Sequence, residues 1–451
     1  MRKYLALALI QVLILAGCGG GGGGSGSSSS GGSSGGVVSA CAGATSGNVE
    51  PMIVDEGPAA LTNAGITAVN VAFISVKVCV PGSSSYQTID HIQVDTQSSG
   101  LRILASALTD ITLPYQLDSS GNTMAECLEF ADGSSWGSLV TADIQLPTSG
   151  EKASGVVVQL IGDPAVEDGR PAPSTVGSNS FCNTPAEDTV PTFGANGIIG
   201  VGPFTQDCGA ACVPGAGVPL PLYYGCVMPV TAQSSCTAEN VTLAQQLTST
   251  VTLFATDNNG SILAFPSVGA SGLATVSGSL VLGIGTETNN ALPAGVTVLP
   301  ADVNDGYITA TLLGTGYPDS YLDSGSNGNF FVDGANPIIQ CVITNPNPPP
   351  PTITNGFYCP TSTLNFTFTL TGANNVTTPQ EAFSVANATD LFNANPTFAA
   401  FSNLGGTNPD PASLDLGLAY FYGQNVYTAV EGVTVAGNAG PFYAVSAYTA
   451  F

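Results

Sequence analysis

Two short acid-bearing turns carry the chemistry this sequence offers. One is Ile92-Gln-Val-Asp95-Thr96-Gln97-Ser98-Ser99-Gly100-Leu101; the other is Tyr321-Leu322-Asp323-Ser324-Gly325-Ser326-Asn327-Gly328. Each runs from an apolar strand into an aspartate, then a hydroxyl residue, then a tight turn of small residues. Downstream of each come two apolar residues and a glycine, Ile198-Ile199-Gly200 and Phe421-Tyr422-Gly423. A lone Asp-Ser-Gly is a common turn; two copies followed by the same partner motif are far more specific. Two carboxyls brought together can split water-dependent bonds. One takes the proton of the water while the other, as an acid, hydrogen-bonds the carbonyl oxygen. Held close, they cannot both ionise, so the pair keeps one proton over a mildly acid range. Thr96, Ser98, Ser324 and Ser326 are candidates to hydrogen-bond such a pair or lock its turns, and Gly325 lets the backbone turn tightly.

Other chemistry-bearing residues have plainer readings. Gly133-Ser-Ser135-Trp-Gly137 matches the serine-hydrolase elbow pattern, but it lies in a β pattern and His91 precedes it. His91 is the sole histidine, so an H-E-x-x-H zinc site is ruled out, and it reads as structural. Arg102 reads as a local ion-pair partner of Asp110, with a cleft position as the alternative. Trp136 reads as packing, unless a hairpin tip carries it over a cleft. Tyr420-Phe-Tyr422 reads as core of the last strands.

The paired turns make the sequence resemble the pepsin-like aspartic peptidases from about Val69 to Val430. That family repeats, once per lobe, an apolar-Asp-Thr-Gly-Ser/Thr turn and a later apolar-apolar-Gly strand. Gly133 to Asp143 is similar to the flap over the cleft. Leu243 to Thr256 resembles the exit from the N-terminal lobe, Gly278 to Gly285 the strand opening the C-terminal lobe, and Gly423 to Val430 the final strands. The sequence is more closely similar to a group of bacterial lipoproteins, a domain of unknown function, with Asp-Thr-x-Ser and Asp-Ser-Gly-Ser signatures. The peptidase resemblance implies Asp95 and Asp323 as a shared acid/base pair hydrolysing a peptide or protein substrate, with no metal or organic cofactor. Two positions depart from it. Gln97 stands where the family has glycine, and Phe130 stands near the flap tyrosine, with Trp136 close by. These departures suit the alternative, a catalytically inactive binding or structural envelope protein on the same fold.

The surrounding elements read as all-β. Val69 to Val80 and Gly155 to Ile161 are rich in β-branched residues, and Ser120-Gly121, Asp132-Gly133 and Asn259-Gly260 signal turns. Thr242 to Leu247 and Thr378 to Phe392 are the helical candidates, the second from a Thr378-Pro379-Gln380-Glu381 capping box. Asn345 to Pro351 is a Pro-rich loop. The expected fold is a bilobal, pepsin-like double barrel with few short helices, its lobes spanning 37–247 and 248–451. The chain has 451 residues, 43% hydrophobic, enough for a large core. Thirty-one acids against six bases, net −25, argue against nucleic acid or an anionic membrane surface as partner.

The N-terminus reads as an export signal over residues 1–17. Arg2 and Lys3 precede an apolar stretch ending in Leu15-Ala16-Gly17-Cys18, which resembles a bacterial lipobox. By that resemblance Cys18 is lipidated and anchors the protein to a membrane. Gly19 follows it without an aspartate retention signal, so an outer-membrane lipoprotein, periplasmic or surface-exposed, is expected. Residues 19–36 are only Gly and Ser, a tether reaching about 23 Å. Ten further cysteines, an even number, fit up to five disulfides in an oxidising compartment, with Cys208/Cys212, Cys226/Cys236 and Cys341/Cys359 as local loops.

Overall fold

The computed structural model describes residues 3–5, 39–42, 45–130, 133–176, 179–182, 184–333, 337–341 and 356–451. Cys18, the tether and the Pro-rich loop at 345–351 lie outside them. Of the signal segment only Lys3–Leu5 is described, alongside Ile66–Ala68.

The protein is all-β, with two barrel-like sheets and four short α-helices among the described residues. In the first half, β1 (Val49–Val54), β2 (Phe73–Cys79), β3 (Tyr86–Asp95), β4 (Ser99–Leu104), β5 (Thr123–Glu129), β6 (Ser134–Gln145), β7 (Lys152–Ile161) and β8 (Gly197–Val201) belong to one large sheet. Within it the order β2-β3-β8-β4-β7-β6 closes on itself, because β6 also pairs with β2. Closure leaves these six strands no free edge and encloses their inner faces. β4 and β8 are buried along their whole length, and apart from Arg102 in β4 they carry only small and apolar residues. β1 does alternate: Met52 and Val54 enter the core and Ile53 does not.

The large sheet then continues from β1 through strands of the second half: β9 (Gly260–Ala264), β10 (Val276–Leu282) and, near the C-terminus, two more described below. The second sheet contains β11 (Ile308–Leu312), β12 (Thr315–Asp323), β13 (Asn329–Phe330), β14 (Leu364–Thr371), β15 (Glu381–Val385) and β16 (Asp415–Gly417). Finally β17 (Gln424–Ala429) and β18 (Phe442–Ala447) return to the large sheet, where β17 pairs with β9 and β18. One apolar core runs through both halves, from Val94 and Leu101 to Leu322 and Leu416.

All three local disulfides are present, with Cys41–Cys79 and Cys127–Cys182 besides. The helical readings fare less well. Thr242 and Gln245 do form a capping box, but over a single 3-10 turn, Leu243–Gln245. Thr378 to Phe392 is not one helix. Glu381–Val385 is strand β15, with Phe383 and Val385 buried against β14, and the helix, Ala388–Ala394, starts later under an Asn387 cap. The capping box was overruled because Phe383 and Val385, two residues apart, share one buried face only in a strand.

Candidate active site

The two aspartates end strands of matching design. β3 and β12 each begin at the surface and bury their last four residues, so each strand delivers its carboxyl from solvent into the middle of the molecule. In the first half β8 runs parallel to β3 with Gly200 opposite Asp95, and antiparallel to β4. In the second, β16 runs parallel to β12 with Gly417 opposite Asp323, and antiparallel to β13. Only glycine fits at either place. A Cβ on Gly200 would stand 2.4 Å from Ser98 O, and one on Gly417 would stand 2.6 Å from Ser326 O. The expected partner of the second turn was Phe421-Tyr422-Gly423. The residues that pair with it are instead Asp415-Leu416-Gly417, and Phe421 and Tyr422 pack in the core on the way to β17. An aspartate in the first apolar slot hid the motif from sequence inspection.

The turns meet head to head through reciprocal hydrogen bonds. Thr96 Oγ1 donates to Leu322 O (2.9 Å) and accepts from Ser324 N (2.9 Å). Ser324 Oγ donates to Val94 O (2.7 Å) and accepts from Thr96 N (3.2 Å). All four residues are buried. Gln93 Nε2, from β3, also donates to Gly325 O of the opposite turn. A second clasp joins the halves nearby. Asn70 donates to Asn327 O and Phe401 O, and accepts from Phe401 N and the Tyr422 hydroxyl.

The carboxyls are neighbours at the centre of this grip, both without solvent exposure. Gln97 N donates to Asp95 Oδ1 (2.8 Å), and Gly325 N donates to Asp323 Oδ1 (2.7 Å). Asp323 Oδ2 takes a further bond from Ser326 Oγ (2.9 Å), whereas Ser98 Oγ has no protein partner and Asp95 Oδ2 is a buried, unpartnered acceptor. Burial, then the adjacent Asp95 charge, push the Asp323 carboxyl well above the usual carboxylate range.

Gln97 does not strain the turn. It is not among the residues with positive φ, and its backbone N–H does what Gly325 does in the other turn. Its Nε2 reaches sideways to Leu322 O and the Tyr443 hydroxyl, 2.9 Å each, and that hydroxyl in turn donates to Gly306 O.

A cavity of about 390 Å³ opens beside the pair, lined among others by Gln97, Phe130, Tyr321 and Asp323. Phe130 ends the β5–β6 hairpin, buried edge-on against Phe193. Trp136 is not at the cavity: it is wholly buried in β6, donates to Val166 O and meets Tyr224 edge-on. Arg102 does line the cavity wall, but not with Asp110, which is exposed. It is fully buried between Glu126 (2.8 Å) and Asp207 (3.0 Å) and donates to Ser99 O. Asp207 also accepts from the Tyr223 hydroxyl, and burial next to Glu126 raises its carboxyl well above the usual range. His91 sits away from the pair, held by Asp55 and Asp90 at 3.3 Å each.

A two-barrel β protein with a pair of aspartates clasped where its halves meet is the class that this fold and site define. The chain belongs to the DUF3443 family, a family described as protein of unknown function, whose sequence pattern matches residues 44–445. No curated protein matches it.

Proposed function

We propose that the protein is an aspartic peptidase of the pepsin-like kind, hydrolysing extended peptides with Asp95 and Asp323 as a shared acid/base pair. The observation that carries this reading is the reciprocal grip of Thr96 and Ser324, which binds two aspartate turns of the same design around one buried pair of carboxyls. Asp95 Oδ2, a buried acceptor without a partner, suits the base that takes a proton from water. Asp323, held protonated by burial and by the charge beside it, suits the acid that hydrogen-bonds the scissile carbonyl. Attack, with the Asp323 proton passing to the carbonyl oxygen, gives a tetrahedral diol; as the carbon–nitrogen bond breaks, the proton taken by Asp95 passes to the leaving amine and a diol proton returns to Asp323. The adjoining cavity, with Phe130 at a hairpin tip, supplies an apolar wall for a substrate side chain. The lipobox-like Leu15 to Cys18 supports attachment to the bacterial envelope, at the outer membrane, with the Gly/Ser tether giving the cleft reach.

Hydrolysis of an unfolded protein substrate at mildly acid pH tests the reading. Asp95→Asn and Asp323→Asn, each isosteric, are expected to lower the rate by at least about 10³-fold with the melting temperature retained. Full activity in either variant overturns it. A second reading, a cleft-bearing binding protein that does not hydrolyse, draws on the complete burial of both carboxyls. It predicts no cleavage of any peptide library at any pH by the unmodified protein, with saturable peptide binding.

A further inference from the structure

Asp415 is a third buried carboxyl at this site, and no paired-turn pattern asks for it. Its register position in β16, two residues before the glycine opposite Asp323, is the position Ile198 holds in β8. It is 1% exposed and lies between Tyr321 of β12 and Phe330 of β13. Its Oδ2 is 2.6 Å from Ser326 Oγ, and the same Ser326 Oγ is 2.9 Å from Asp323 Oδ2.

A hydroxyl carries one proton. Ser326 cannot donate to two carboxylate oxygens at once, so one of the two contacts is an acid O–H donating into Ser326 Oγ. Geometry assigns which. Asp323 has a second donor, the Gly325 N–H on Oδ1, so it does not depend on Ser326 alone. Among the described residues Asp415 has no donor but Ser326, and its Oδ1 is buried without a partner. An unsolvated carboxylate in that position would be costly, whereas a neutral acid is not. The shorter of the two contacts, at Asp415, is also the one expected of an acid O–H.

We propose that Asp415 is a positioning residue that stays protonated and donates to Ser326, which fixes the Ser326 proton on Asp323 Oδ2. Asp323 Oδ2 is then an acceptor only. The shared proton of the pair is confined to Asp323 Oδ1 or to Asp95, the atoms that must exchange it during catalysis. The ionisable groups around Asp415 are Asp323, Asp95 and Tyr321, all acids, and burial with the Asp95 charge raises its carboxyl well above the usual range. This inference rests on the peptidase reading for its catalytic consequence but not for the protonation state itself.

Infrared difference spectroscopy on the resting protein tests the protonation directly. Wild type minus Asp415→Asn at pH 7 is expected to reveal loss of a protonated carboxyl C=O band. Loss of a carboxylate band pair instead overturns the proposal, whether or not the protein cleaves anything. The kinetic arm uses an acid peptidase assay. Asn keeps a neutral donor, so the pH–rate profile of Asp415→Asn should match wild type within about 0.3 pH unit, about a twofold change in the proton equilibrium. Asp415→Leu and Ser326→Ala, which release the Asp323 Oδ2 contact, should each move the profile by more than about 0.5 unit. An unchanged profile in both released variants, or a shifted one in Asp415→Asn, refutes the role. Inactivity of the wild type would refute the peptidase reading alone and leave the infrared result standing.

Discussion

Replacing Thr96 by valine keeps the side-chain volume and removes only the hydroxyl that clasps the two turns. The structure allows the cost to be worked out atom by atom. Ser324 N loses Thr96 Oγ1, the partner at 2.9 Å that satisfies it, and is buried. A buried donor left alone costs about 1–3 kcal/mol. Leu322 O also loses Thr96 Oγ1, but it keeps Gln97 Nε2 at 2.9 Å, so only the net value of one hydrogen bond goes, about 0.5–1.5 kcal/mol. Together Thr96→Val should destabilise the protein by about 1.5–4.5 kcal/mol. Urea unfolding with the disulfides intact, followed by tryptophan fluorescence from the single, buried Trp136, measures this. Ser324→Ala removes the reciprocal hydroxyl from Val94 O and Thr96 N. Each hydroxyl bonds backbone groups that the other change leaves in place, but the two residues touch within one network, so the double variant should depart from the sum by about 0.5–3 kcal/mol. A Thr96→Val change below about 0.5 kcal/mol, or strict additivity in the double variant, would mean the turns do not hold each other and the central pair is not fixed by this grip.

Two further expectations follow from the same coordinates. Gly417→Ala puts a Cβ 2.2 Å from Gly328 O and 2.6 Å from Ser326 O, so the Asp323 turn must shift; a loss of about 1–3 kcal/mol on chemical unfolding is expected, and a neutral result would contradict the close approach of β16 to that turn. His91 and Asp55 link stability to pH. Burial opposes the charge on His91, but Asp55 and Asp90 outweigh it and raise its pKa, so its contribution is complete below about pH 6.5 and fades as pH climbs through the raised value. For Asp55, burial is outweighed by His91 and the Gly57 N–H, which lower its pKa, so its contribution is present above about pH 3.9 and lost on acidification. The wild type should therefore melt higher at pH 5.5 than at pH 8 by a margin that His91→Asn reduces; asparagine tolerates the left-handed backbone at φ 49°. An identical pH dependence in the variant would remove His91 as its source.

Much of the design could be read along the chain because it is local. An aspartate closing an apolar strand, a hydroxyl next to it and small residues after it are properties of eight or so consecutive residues, and two copies disclosed the paired turns. Close cysteine spacings likewise marked three disulfides. What the chain could not disclose were contacts between residues far apart along it. Asp415 sits in an apolar slot, so its Asp-Leu-Gly matched no expected pattern, and Phe421-Tyr422-Gly423, with the right residue types, drew the assignment away. The partners of Arg102 come from β5 and the segment after β8, which only closure of the barrel brings to it. Gln97 read as a departure from the family's glycine, yet side-chain direction is set by what surrounds it, and Leu322 and Tyr443, more than 200 residues away, hold its amide. Residue type and spacing determined which groups could react. Burial, the meeting of two acids at one hydroxyl, and the meeting of two distant turns were decided by tertiary packing, because desolvation and hydrogen-bond geometry exist only once the halves are together.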